Sequence, residues 1–231
     1  MPGGRGVRPA SHQRMPRCIM TMRFNRISLS AAAALMLGAG VTTAPLSAQS
    51  FTPVETPTTE AFNVFVEQVG ERHEVTVEQS TNTQTAEVRQ EGSDNEATLE
   101  QSGNGAHIAV LGQNGVGNAA EIAQSGDGEA VANLIQEGDG NAILLSQTDN
   151  GLLGTAAEIA QSGNDNMIGL VQDGSDNQAR LVQNGNNNTM TASQLNSGNR
   201  LEWVQDGSGL SDMAVEQTGG QTMFILQTNG G

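Results

Sequence analysis

Along most of the chain, polar and apolar residues alternate in short runs that end on a glutamine. Counting back from these glutamines by two, four and six residues gives Asn95, Ala97, Leu99 and Gln101; Asn118, Ala120, Ile122 and Gln124; Asn141, Ile143, Leu145 and Gln147; Asn166, Ile168, Leu170 and Gln172; Asn177, Ala179, Leu181 and Gln183; and Asn199, Leu201, Trp203 and Gln205. Side chains in a strand alternate between faces with period two, so each set is one face of a short strand. Two apolar residues are bracketed by two amides, and the residues between them, such as Glu96, Thr98 and Glu100, are mostly polar. The pattern predicts a half-buried strand.

That strand recurs. Gln68, Gln79, Gln90, Gln101, Gln113, Gln124, Gln136, Gln147, Gln161, Gln172, Gln183, Gln194, Gln205, Gln217 and Gln227 follow one another at 11 or 12 residues, except for one interval of 14 and one of 10. The matching amide six residues earlier recurs at Asn95, Asn118, Asn141, Asn166, Asn177, Asn188 and Asn199. Two residues after the glutamine stands Gly70, Gly92, Gly103, Gly115, Gly126, Gly138, Gly163, Gly174, Gly185, Gly207 or Gly219, with Thr81, Asp149 and Asn196 as exceptions. Glycine at a fixed offset marks a turn that needs a permissive backbone.

A unit of one strand and one turn cannot bury its apolar face alone, so consecutive units must fold back on each other and stack. Two units make a coil of about 22 residues, with apolar faces about 10 Å apart and coils about 4.8 Å apart. The expected fold is therefore all-β, a two-sheet β-solenoid of about 15 short strands, cross-β when polymerised. These Gln and Asn residues then form ladders, each amide bonding its equivalents in the coils above and below and so satisfying side chains that are otherwise buried without partners.

Irregular intervals read as loop insertions. The longer loop Thr148 to Gly154 places Thr155 in the Asn slot, and the interval before Gln217 places Ser211, Met213 and Val215 inside. Around Gln113 two alternations compete, one burying His107, Ala109 and Leu111, the other Ala106, Ile108 and Val110; a bulge near Gly112 reconciles them. The first unit reads Phe62, Val64, Val66 and Gln68.

Composition narrows the setting. The 231 residues include 29 Gly, one Trp, no Tyr and 25 acidic against ten basic residues, all of them Arg. A chain so acidic suits neither nucleic acid nor an anionic membrane surface. From Met22, Arg23 and Arg26 precede an apolar run over 27–41 and then small residues ending at Ala48, the layout of a secretory signal peptide over 22–48. The run is too short to span a bilayer, so no membrane insertion of the mature chain is expected. Residues 1–21 read as an over-long N-terminal start, 49–60, with Pro53 and Pro57, as a flexible leader, and 61–231 as the repeat domain. Cleavage before Gln49 removes Cys18, the only cysteine, and leaves Arg72, Arg89, Arg180 and Arg200 against all 25 carboxylates, a formal charge of −21. No disulfide framework, thiolate metal site or cysteine nucleophile remains.

The pattern Gln-x-Gly-x-x-Asn-x-Ala-x-x-x-Gln, as at Gln90 to Gln101, Gln113 to Gln124 and Gln172 to Gln183, resembles the curlin repeat of bacterial curli amyloid subunits, over residues 61–231. The resemblance implies export through a dedicated outer-membrane secretion channel that reads the leader, a nucleator subunit, and self-polymerisation into extracellular fibres of the biofilm matrix, with this chain closer to the major subunit. His73, Gln84, His107 and Ala130 depart from Asn at the Asn slot.

Site chemistry finds little footing. His73 and His107 lie three units apart, which suits ladder substitution rather than a shared metal, since a metal needs three or four convergent ligands. Turn acids such as Glu91 and Asp94 or Asp173 and Asp176 lack the nonapeptide order of a calcium roll. The Gly-x-Gly pairs, as at Gly126 and Gly128, precede no helix. Trp203 fills a core slot. No nucleophile, base and orienting group assemble, so neither enzyme nor cofactor is expected. The rival to a fibre subunit is a monomeric secreted β-solenoid adhesin. An ice-binding solenoid needs a flat Thr array, and outward threonines here are scattered at Thr76, Thr98, Thr189 and Thr191.

Overall fold

A computed structural model describes residues 18–23 and 63–229. Its strands are β1 (Cys18–Arg23), β2 (Asn63–Glu71), β3 (Glu74–Gln79), β4 (Thr85–Ser93), β5 (Glu96–Gln101), β6 (Ile108–Val116), β7 (Ala119–Ser125), β8 (Ala130–Glu137), β9 (Ala142–Thr148), β10 (Thr155–Ser162), β11 (Met167–Asp173), β12 (Gln178–Asn184), β13 (Thr189–Leu195), β14 (Arg200–Asp206), β15 (Met213–Thr218) and β16 (Thr222–Thr228). Strands β2 to β16 alternate between two parallel sheets. The even sheet runs β2-β4-β6-β8-β10-β12-β14-β16 and the odd sheet β3-β5-β7-β9-β11-β13-β15, with no helix among the described residues. This is the expected two-sheet β-solenoid, of about seven turns.

The alternation in sequence becomes alternation in burial: β5 reads Glu96 out, Ala97 in, Thr98 half-buried, Leu99 in, Glu100 out, Gln101 in. Ala97, Leu99, Ala120, Ile122, Ile143, Leu145, Ile168 and Leu170 of the odd sheet face Ala109, Leu111, Ala132, Leu134, Ala157, Ile159, Ala179 and Leu181 of the even sheet in one continuous core. Burying a Leu or Ile side chain stabilises by roughly 1.5–3 kcal/mol. Trp203 is fully buried in this core between Leu181 and Ile225 of the neighbouring strands.

Register is held despite unequal loops. Gln136 pairs with Gln161, 25 residues on, just as Gln161 pairs with Gln183, 22 residues on, because the extra residues are confined to the turns. Exposed Leu152 and Leu153 lie in that longer loop.

Three expectations change. No bulge occurs near Gly112: β6 pairs evenly from Ile108–Val131 to Asn114–Glu137, with His107, Ala109, Leu111 and Gln113 inside. Ile108 is buried as well although it starts the outward set, so the two competing alternations overlap at a single residue. Second, Ser211 and Met213 are exposed, and only Val215 of that set is buried, because β15 is the last strand of the odd sheet and nothing covers it. Third, β1 adds a strand that no repeat announces. It pairs antiparallel with β3, Cys18 opposite Gln79 and Arg23 opposite Glu74. The rest of the signal peptide expected over 22–48, the leader over 49–60 and Phe62 lie outside the described residues.

Candidate functional site

The inward glutamine of every unit lies at or near the C-terminal end of its strand, and parallel in-register pairing brings equivalent amides to hydrogen-bonding distance. In the odd sheet Nε2 donates to the next Oε1 from Gln79 to Gln101 at 2.7 Å, Gln101 to Gln124 at 2.8 Å, Gln124 to Gln147 at 2.9 Å, Gln147 to Gln172 at 2.9 Å, Gln172 to Gln194 at 2.7 Å and Gln194 to Gln217 at 2.7 Å. The even sheet repeats this through Gln68, Gln90, Gln113, Gln136, Gln161, Gln183, Gln205 and Gln227, at 2.7 to 3.0 Å. Each interior Nε2 also donates to a backbone carbonyl of the opposite sheet, as Gln101 does to Thr85 O at 3.0 Å and Gln172 to Ala156 O at 3.1 Å. Of the two ends of a side-chain amide only the NH2 donates to a carbonyl, so this second bond decides which way each amide points. Both ladders therefore run with one polarity: oxygens toward the β2 end, nitrogens toward the β16 end.

The Asn slot serves the turns. The backbone N–H of Asn118 donates to Asn95 Oδ1 at 2.9 Å, Asn141 to Asn118 at 3.0 Å, Asn166 to Asn141 at 3.1 Å and Asn188 to Asn166 at 3.2 Å. Nδ2 reaches a turn carbonyl of the next coil: Asn118 to Gly138 O at 2.7 Å, Asn141 to Gly163 O at 2.8 Å, Asn177 to Asn196 O at 2.7 Å. In the even sheet Asn199 N–H donates to Asn177 Oδ1 at 3.0 Å. All eleven glycines two residues after a ladder glutamine have positive φ, but Gly70, Gly92 and Gly115 lie near the ends of the longer strands β2, β4 and β6 rather than in turns. At Gly92, φ is 110° and a Cβ would sit 2.1 Å from Gly115 O, so the stacked backbones leave room for hydrogen alone.

Substitutes in the Asn slot were harder to read from sequence. His73 imitates asparagine, with Nδ1 accepting from Asn95 N–H at 3.4 Å and Nε2 at 3.1 Å from Val69 O. Gln84 Oε1 instead accepts from Ser80 N–H at 3.0 Å within its own turn, and Thr155 Oγ1 donates to Gly174 O at 2.8 Å. Their signal was position alone, six residues before the ladder glutamine.

His107 and Asp149 break the scheme. His107 Nε2 lies 2.9 Å from Ser102 O, while Nδ1 has no partner and the next residue in its column is Ala130. Burial pushes its pKa down, partly offset by the bond to Ser102. Asp149, which stands where other turns have glycine, is fully buried; its Oδ1 accepts from Gly151 N–H at 2.7 Å and its Oδ2 has no partner. Burial pushes its carboxyl pKa up, against the bond from Gly151.

Outside, charge is unevenly matched. Glu74 stacks on Glu96 and Glu78 on Glu100. Each arginine of the repeat domain meets acids: Arg72 with Asp94, Arg89 with Glu67 and Glu87, Arg180 with Glu158 and Glu202, Arg200 with Asp176. The bond from Arg72 holds the exposed Asp94 carboxyl below its usual value. Among the described residues no three His, Cys, Asp or Glu converge as metal ligands, and no helix is long and apolar enough to cross a membrane.

The ends differ from the middle. Gln68 Oε1 and Gln79 Oε1, the first acceptors of the two ladders, are buried without a partner. At the other end Gln217 Nε2 donates to Arg200 O and Gln221 O, and Gln227 Nε2 to Ser211 O, with no further side-chain amide below either among the described residues. Gln124 Nε2 shares its two hydrogens among the equivalent two carbonyls and a ladder oxygen, so Gln217 lacks only its rung.

Comparison with known proteins agrees with this geometry. The curlin associated repeat matches residues 85–111 and 163–195, which lie in both sheets and both halves of the coil. No curated protein and no solved structure matches the chain. The curlin repeat family is structural rather than enzymatic, and its members form extracellular fibres. In these two stretches, and in the coil they help to build, the chain is similar to the curlin associated repeat.

Proposed function

We propose that this chain is the structural subunit of an extracellular curli-like amyloid fibre, polymerising head to tail through strand edges and Gln/Asn ladders and so supporting cell adhesion and a biofilm matrix. The observation that carries the reading is the mismatch of the ladder ends: two buried acceptors without donors at one end and two glutamine nitrogens without a rung at the other. Leaving a buried acceptor unmade costs about 1–3 kcal/mol, and a second copy of this chain supplies the matching donors. Two different, complementary ends form a heterologous contact, which does not close and so propagates. In this reading the signal peptide over 22–48 directs export, the leader over 49–60 engages an outer-membrane secretion channel, and a nucleator subunit starts growth. These partners rest on the family.

Electron microscopy and amyloid-dye fluorescence of purified residues 49–231 after overnight incubation test the reading. Unbranched fibres that seed fresh monomer are expected. A chain that stays monomeric and soluble would instead be the solenoid adhesin.

A further inference from the structure

The coil has an odd number of strands, and that decides how one copy can follow another. The even sheet holds eight repeat strands, β2 to β16, and the odd sheet seven, β3 to β15. At the leading end β2 stands half a step ahead of β3. At the trailing end β16 lies half a step beyond β15. The next free position along the axis is therefore below β15, in the odd sheet, yet the first strand an incoming copy offers is β2, from its even sheet.

We infer that successive copies in the fibre are related by a half-turn screw, so that β2 of the incoming copy docks on β15, β3 docks on β16, and the sheets exchange roles at every junction. This rests on the fibre reading and specifies its interface. Without the half-turn, β2 docks on β16, and β15 faces β3 of the next copy across two strand spacings, about 9.6 Å. That slot leaves two strand edges unpaired and puts Gln217 Nε2 out of reach of Gln79 Oε1. With the half-turn, every edge pairs. Gln217 Nε2 meets Gln68 Oε1 of the next copy and Gln227 Nε2 meets its Gln79 Oε1, which supplies both missing rungs in the polarity the ladders already have.

The register set by those rungs also suits the core. Val64 and Val66 of the incoming copy fall below Met213 and Val215, and its Val75 and Val77 below Met223 and Ile225; of these Val64, Val66, Met223 and Ile225 are only partly buried within one copy. On the outside, Glu74 and Glu78 fall below Thr222 and Leu226, relieving the acidic column rather than extending it. The like-charged rung is Glu216 over Glu67, where Arg89 Nη1 already lies 3.3 Å from Glu67. In the structure β1 fills the place above β3, but antiparallel, and Gln79 Oε1 stays without a donor there.

Cysteine pairs decide the point, since residues 49–231 contain no cysteine. Neighbouring in-register strands place Cα atoms about 4.8 Å apart, within disulfide range. Fibres grown from chains carrying Thr76→Cys with Phe224→Cys, or Phe65→Cys with Ala214→Cys, should oxidise to covalent dimers, trimers and longer ladders on a denaturing, non-reducing gel. Phe65→Cys with Phe224→Cys should leave monomer. Within one copy each pair sits at opposite ends of the coil, so a ladder reports the junction. Helical reconstruction of the unsubstituted fibre is the second measurement: about 36 Å of rise and near 180° of rotation per subunit are expected from seven and a half coils. Ladders from the Phe65/Phe224 pair, or a rotation near zero, overturn the half-turn while leaving the fibre reading intact. Absence of fibres from the unsubstituted chain overturns the fibre reading itself.

Discussion

Replacing Gln172 with alanine tests whether the inward amides hold the fibre together. The side chain is fully buried in β11 and makes three hydrogen bonds: it accepts from Gln147 Nε2 at 2.9 Å and donates to Gln194 Oε1 at 2.7 Å and to Ala156 O at 3.1 Å. Alanine removes all three and leaves two acceptors and one donor inside, where no water reaches them. At about 1 kcal/mol each, the low end for an unmade buried bond, the cost is about 3 kcal/mol, or roughly 100-fold in an equilibrium constant. All three partners lie in the same copy, so the cost falls on folding of the coil; for a chain that folds as it docks it carries over into subunit addition, and the soluble concentration remaining beside mature fibres should rise by about two orders of magnitude. Glu100→Ala is the comparator. That side chain is exposed and stacks on Glu78, so its loss removes a like-charge contact worth tenths of a kcal/mol and should leave the residual concentration unchanged or slightly lower. Residual monomer is measured after sedimentation, approached from both growth and dissolution. A Gln172→Ala value within threefold of the parent, or a Glu100→Ala effect of equal size, would refute the argument that the ladder is buried and needs both neighbours.

Gly92→Ala should abolish or severely slow fibre growth, because φ is 110° and the new Cβ meets Gly115 O at 2.1 Å, whereas Gly112→Ala, with nothing within 4 Å, should grow like the parent; seeded dye kinetics compare the two. Growth should quicken as salt is raised from low concentration to 0.1 M, where charges are screened beyond about 10 Å, because the Glu74–Glu96 and Glu78–Glu100 rungs and the net acidity oppose docking. The His107 pKa is lower folded than unfolded, so folding releases protons there: its contribution is intact above the unfolded value near 6.5 and is lost as pH falls from there toward the folded value. Asp149 works in the opposite sense, its raised pKa making the fold gain stability as pH falls through the folded value toward 3.8. Denaturant unfolding of His107→Asn should accordingly show a smaller loss between pH 7 and pH 5 than the parent. A chain retaining residues 1–48 should elongate poorly from its leading end, since β1 covers the β3 edge that the junction uses; equal growth of both forms would dismiss that role for β1.

Much of this was decided by sequence alone, because the determinants are local and repeated. Alternation at Ala97, Leu99 and Gln101 needs only the two-residue period of a strand, and fifteen recurrences at nearly constant spacing admit few arrangements besides a stacked coil. Glycines such as Gly92 are legible for the same reason: they recur two residues after the glutamine in eleven of fourteen linking segments, and a positive φ favours glycine. What the tertiary structure decided depends on neighbours outside the unit. Around Gly112 two alternations were equally good locally, and the choice falls to the rung from Gln113 Nε2 to Gln136 Oε1, which pins the strand without a bulge. Met213 has the sequence of an inward residue and is exposed because its sheet ends there. The direction of each ladder amide is invisible in a glutamine's identity; it is fixed by a carbonyl on the opposite sheet, as Thr85 O fixes Gln101. The burial of Asp149 likewise comes from the coil stacked beside it. Period and face are properties of one strand, while register, polarity and end exposure belong to the stack, and only the folded coil contains it.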